Sequence, residues 1–184
     1  MYIYIARRVA LIGWLLVCSS CAALGRDKES AGTPCTPPAE IQSVLKEKLP
    51  GWRIVRLSDL WKDDQTLWKK KSDGTCPGLA SGNYRGVGRE FAATLIHGNR
   101  PHLQQTLVLM GKTGNAYRLK VLIPPQSASQ VSVVYTVPPD TYEDVGTGES
   151  VTAPTDSVAY EAMEASAIVY VWNRHKFKQI WVMD

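Results

Sequence analysis

From Glu90 to Asp184 the chain is a succession of short apolar runs cut by turn residues, and this pattern constrains the fold most. EFAATLIH (90–97), LQQTLVLMGK (103–112) and NAYRLKVLI (115–123) have strand length and composition. The last two are joined by a tight Thr113-Gly114-Asn115 connection, which predicts a hairpin. Pro124-Pro125 is expected to end that pair, because proline cannot donate to a ladder. QVSVVYTV (130–137) is a further strand, ended by Pro138-Pro139. VAYEA (158–162) follows, and SAIVYVWN (166–173) and FKQIWVMD (177–184) form a last hairpin around Arg174-His175-Lys176. Residues 140–157 read as a long polar loop with a short strand near 150–153.

Ahead of this run the periodicity changes. Ile41, Val44, Leu45 and Leu49 recur at helical spacing, with Thr36 as a cap, Pro37-Pro38 at the first turn and Pro50-Gly51 as a stop. An amphipathic helix is expected at 38–48. WRIVRL (52–57) alternates like a strand, and 58–70 fits a short helix or an ordered loop, followed by a loop over 71–78. One helix followed by adjacent strands gives an α+β class: an N-terminal amphipathic helix packed on a mainly antiparallel sheet of about six to eight strands.

The first 21 residues have the layout of a secretory leader. Arg7 and Arg8 precede the apolar run Val9 to Val17, and small residues follow. That run is shorter than the roughly 20 residues a spanning helix needs. The stretch resembles a bacterial lipoprotein signal with Cys21 as the lipidated residue. Ser20 fits the position before the cysteine, whereas Cys18 stands where an aliphatic residue is usual. Ordinary cleavage near Ser20-Cys21-Ala22 is the alternative. Residues 22–35 read as a flexible tether and 36–184 as a single domain. The expected location is the periplasm or a membrane to which only an N-terminal lipid holds the chain, with secretion as the alternative.

Four cysteines are present, two of them in the leader. Cys35 and Cys76 remain, and export makes their pairing the natural expectation. No CxxC or nearby histidine turns them into a metal set. Removing residues 1–21 takes away Arg7 and Arg8 and no acid, so 21 basic against 17 acidic residues becomes 19 − 17 = +2. The clusters KEK (46–48), KKK (69–71) and NRHKFK (173–178) are local, so no nucleic-acid footprint is expected.

NYRGVGRE (83–90) has the glycine spacing of a calcium loop. GNYRGVGREFA resembles FG-GAP and related bacterial loops in Asn83, Tyr84, Gly86, Gly88 and Phe91-Ala92. The ligands do not carry over, because Arg85 and Val87 replace oxygen donors and Glu90 arrives one residue early. No metal or cofactor is expected, and Arg85 is expected to reach Glu90 or another nearby carboxylate in place of an ion. Residues 76–184 resemble small exported bacterial proteins of undefined function that share a CPG turn, a glycine loop and strands. The resemblance brings no catalytic residues with it.

No catalytic motif is found. His97 and His102 flank a turn, and Ser150 lacks a nucleophile elbow. Trp52, Trp172 and Trp181 are expected in the core, while Trp61 and Trp68 could be core or interface anchors. The acidic loop 140–157, with Asp140, Glu143, Asp144, Glu149 and Asp156, is a candidate surface for a basic partner. The resulting expectation is an exported, envelope-associated, non-catalytic protein that binds a protein or an envelope component. A secreted hydrolase with an unrecognised site, or a hydrolase inhibitor or immunity protein, is the alternative.

Overall fold

A computed structural model describes residues 35–182. The leader, Cys21 and all of the tether but Cys35 lie outside the described residues. Helix α1 spans Ala39–Lys48, within a residue of its expected start. Its cap is Pro38 rather than Thr36, and no side chain bonds the first turn there. The Pro38 carbonyl accepts from the Gln42 N–H, and the Gln42 amide donates to the Pro37 carbonyl. Ile41 and Leu45 are its buried face, and each is worth about 2 kcal/mol in apolar area removed from water.

Short strand β1 (Arg53–Ile54) follows, much less than the strand expected over 52–57. The ambiguous segment after it is helical: α2 spans Lys62–Ser72. Strands β2 (Leu79–Gly82), β3 (Glu90–His97), β4 (Gln104–Thr113) and β5 (Ala116–Ser127) complete the first sheet. In it β3 pairs with β4 on one side, β1 and β2 share the other, and β5 forms the far edge. Strand β6 (Val133–Val137) begins a second part. A small hairpin of β7 (Thr141–Glu143) and β8 (Ser150–Thr152) precedes β9 (Ser157–Ala162), β10 (Ser166–Trp172) and β11 (Phe177–Val182). The second sheet runs β11-β10-β9-β6. All pairings are antiparallel.

The mixed helix and antiparallel-strand class holds. A single sheet of six to eight strands does not. There are five-, four- and two-stranded sheets, because the apolar runs record strand number but not where pairing is handed over. Nor do Pro124 and Pro125 end β5. Gln105 pairs with Gln126 and Leu107 with Ile123, so the two prolines occupy a bulge opposite Thr106. The edge position of β5 tolerates their missing N–H groups.

The sheets pack face to face over Ala92, Leu107, Leu109 and Ile123 from the first and Val134, Val158, Tyr160 and Tyr170 from the second. Both faces of β3 are covered, since α1 packs Ile41 and Leu45 on Phe91, Ala93 and Leu95 from outside. That is why EFAATLIH reads as a continuous apolar run rather than an alternating one. Helix α2 puts Trp68, only 1% exposed, against Val55, Leu60, Ile96 and Val133. The β7–β8 hairpin covers the outer face of the second sheet, with Tyr142 and Val151 on Val169, Val171 and Ile180.

Candidate functional site

The two sheets meet along two seams, and their chemistry differs. The first runs between β2 and β6 and contains the glycine loop. Gly86 and Gly88 have φ of 75° and 107°, in the region that favours glycine, so the frame of the loop is conformational. The expected Arg85–Glu90 contact is present. The Arg85 Nε donates to Glu90 Oε1 at 2.7 Å and its N–H to Oε2 at 2.9 Å. Glu90 is 1% exposed, and a Cβ at Gly111 would stand 2.5 Å from its Oε1. The guanidinium thus supplies the positive charge that a cation supplies in a ligand-bearing loop. Asn83 closes the turn by accepting the Gly88 N–H, and its own N–H donates to Asp156. Thr155 donates to the Tyr84 carbonyl, and the Tyr84 and Thr136 hydroxyls are 2.7 Å apart. The Val134 N–H reaches the Pro77 carbonyl beside Cys76. Cys76 in turn is bonded to Cys35, with 4.9 Å between Cα atoms. Each of the polar groups just named has a partner, while the buried hydroxyls of Thr94 and Ser157 have none. A cleft of about 630 Å³ lined by α2, β2 and β6 also lies along this seam.

The second seam is open. A groove of about 530 Å³ runs between β5 with its following segment, 122–132, and the inner face of the second sheet. None of the described residues that line it is charged. One rung of the second sheet crosses it: Trp181 pairs with Ile168, and Ile168 with Tyr160. The next rung pairs Gln179 with Tyr170, and the Gln179 amide donates to the Tyr170 hydroxyl. The opposite wall offers Leu122, Ile123, Gln126, Ser129 and Gln130. Trp181 is 47% exposed, and the Tyr160 hydroxyl is buried with no hydrogen-bond partner in the protein. Burial raises the Tyr160 phenol's pKa, partly offset by the polar side chains of Ser132 and Gln126 beside it. The groove has the volume of a small-molecule site, and its lining mixes aromatic and aliphatic groups with uncharged polar ones in comparable measure.

No family model, curated protein or solved structure matches this chain. The groove therefore has to be read from its own chemistry.

Other sequence candidates separate clearly. His97 bonds the Gly51 carbonyl at 3.1 Å and stacks by Trp52, so its ring closes the turn after α1. His102 is exposed in the turn before β4. In residues 140–157 the expected short strand is β8, and it pairs with β7 in a hairpin instead of standing in a long loop. Asp144 accepts from Gly146, from the Thr147 N–H and hydroxyl, and from the Trp181 N–H. Glu149 pairs with Lys178, Asp140 caps Thr141 and Asp156 holds Asn83. These carboxylates are used inside the chain.

The tryptophans are redistributed. Trp181 lines the groove instead of the core, Trp52 and Trp172 are half-buried, and Trp68 is the core residue. Trp61 is exposed, with the Arg100 guanidinium 3.9 Å from its ring centre. The signal for Trp181 was present in FKQIWV, since period two puts Gln179 and Trp181 opposite the buried Ile180. One further polar cluster joins the elements. The Lys71 ammonium bonds Glu161 at 2.6 Å and Tyr135 at 3.2 Å. Burial opposes the Lys71 charge, but these bonds outweigh it and raise its pKa. Burial, then Glu161, pushes Tyr135 up to about 12. This triad ties α2 to the second sheet.

Proposed function

We propose that this chain is an exported, envelope-associated protein that binds an envelope component in the groove between β5 and β9–β11 and does no chemistry on it. The observation that carries the reading is the groove's composition: uncharged walls, an exposed indole and an unpaired phenol. Acid–base and nucleophilic catalysis need an activated group poised at the substrate, and the described lining offers tyrosines, amides and serines with no histidine, carboxylate, lysine or cysteine to activate them. The leader-like residues 1–21 and the Cys35–Cys76 bond support export, because such bonds persist in oxidising compartments. Lipidation at Cys21 would supply the attachment. An inhibitor docking through acidic residues of 140–157 is less well supported, since most of those carboxylates are already engaged.

Two measurements test this. Fractionation of cells expressing the full chain should place it in the envelope, and Cys21→Ser should move it to the soluble periplasmic fraction. Purified sacculi should retain the wild-type protein, and envelope vesicles the Cys21→Ser protein that has no lipid anchor, and both should lose it on adding Trp181→Ala. A cytoplasmic protein, or one retained by neither preparation, would sink the proposal.

A further inference from the structure

The groove also carries the chemical class of its ligand, provided it is the binding site as proposed above. Trp181 is held unusually firmly for an exposed indole on an edge strand. Its N–H donates to Asp144 Oδ2 at 3.0 Å, and its carbonyl accepts from Val145 at 2.9 Å. The backbone beneath the ring is therefore pinned on both polar groups, and the ring is presented without a large ordering cost at binding. Behind it Ile168 and then Tyr160 continue the same rung. The phenol oxygen is the one groove-lining side-chain atom, among the described residues, that is buried without a hydrogen-bond partner. Such a group is costly to leave unmatched, and a hydroxyl can both donate and accept. Gln126 and Gln130 on the facing wall each add an amide with both roles.

A peptide strand fits this surface poorly. Adding a strand needs a free row of N–H and C=O groups. At β11 the Trp181 pair is consumed by the hairpin, as just described. At β5 the bulge residues Pro124 and Pro125 have no N–H to offer. An ionic ligand also fits poorly, because the described lining has no charge to meet it.

We infer that the groove binds an uncharged saccharide, one ring laid on the Trp181 indole and its hydroxyls shared with Tyr160 and the facing amides. The apolar C–H face of a sugar ring suits an aromatic surface, and its hydroxyls suit groups that donate and accept without charge.

The test is tryptophan fluorescence of the full-length protein, purified from whichever cell fraction holds it. It is titrated with a chito-oligosaccharide, a malto-oligosaccharide and an uncharged, end-capped alanine–glycine peptide. At least one sugar should give a saturable change. Trp181→Ala should weaken that sugar about tenfold or more, and Tyr160→Phe about threefold. Thermal melting should show both variants folded. The inference is overturned if neither sugar saturates, if the peptide binds more tightly than both, or if the two variants bind sugar like the wild type. The sacculus experiment separates two kinds of failure. Trp181-dependent retention without sugar binding removes the saccharide and keeps the groove as the site. No retention of the wild type on sacculi or of the Cys21→Ser protein on vesicles removes the binding reading itself.

Discussion

The two seams between the sheets are built from similar strands and differ in how their polar groups are settled. At β2–β6 the side chains of and around the glycine loop have partners: Arg85 with Glu90, Asp156 with Asn83, Tyr84 with Thr136. At the groove Tyr160 has none and Trp181 stands in solvent. Matched buried polar groups are a means of holding structure together. Unmatched ones next to an opening are where a ligand has something to gain. The seam that looked like a site in sequence is thus structural, and the one that looked like ordinary strands is the candidate site.

The largest way to break the contrast is at the β2–β6 seam. The disulfide spans 41 residues of sequence, and the chain-entropy argument gives it about 4 kcal/mol. The double variant Cys35→Ser/Cys76→Ser should lose about that much in denaturant unfolding. A loss below about 1 kcal/mol would mean that the seam holds without it.

Next is Arg85→Ala. It leaves the Glu90 carboxylate buried with only the Arg85 N–H, and removing one partner of a buried pair costs about 3 kcal/mol. Gly111→Ala should destabilise in the same direction, since its Cβ would displace Glu90. If Arg85→Ala unfolds at the wild-type denaturant concentration, the guanidinium does not serve as the loop's internal cation.

A smaller effect is expected at Asp144, which joins the β7–β8 hairpin to β11. Bonds from the Trp181 N–H, then from Thr147 and Gly146, hold its pKa below the usual value, against the opposing effect of burial. A lowered folded pKa gives stability that is present above the unfolded value, about 3.9, and is lost as pH falls through the folded one. Amide exchange at Val145 and Trp181 should therefore quicken as pH drops below about 4, after correction for the intrinsic rate. Asp144→Ala should show that quickening already at neutral pH. Equal corrected protection at pH 6 and at the acid end would contradict the assignment.

The smallest effect sharpens the contrast most. Tyr160→Phe removes a hydroxyl that has no hydrogen-bond partner, so stability should change by less than about 1 kcal/mol. A loss of about 2 kcal/mol or more would show that the phenol is matched after all and that the open seam resembles the β2–β6 one.

Much of the local structure was legible. The 3.6-residue spacing of Ile41 and Leu45 gave α1, and the short apolar runs bounded by turn residues gave β3, β4, β9, β10 and β11 nearly to their ends. Arg85 reaching Glu90 could be anticipated from a loop frame that kept its glycines and exchanged its ligands. Strand β2 was missed because LASG is short and takes its pairing from β3 rather than from its own composition. In residues 140–157 the short strand near 150–153 is present as β8, but its partner β7 was missed, because polar sequence looks like loop until an apolar face, here Val169 and Ile180, gives Tyr142 and Val151 something to cover.

By itself the sequence determined which segments could be helix or strand, that Cys35 and Cys76 stand beyond the leader-like residues 1–21, and where the glycine frame lay. These are properties of neighbours along the chain. The tertiary structure alone decided that two sheets face each other, that Glu90 is buried against Arg85, and that Trp181, Ile168 and Tyr160 form one rung along an open seam. Those outcomes depend on pairing register and on which faces are covered, and both are set by contacts between residues far apart in the chain.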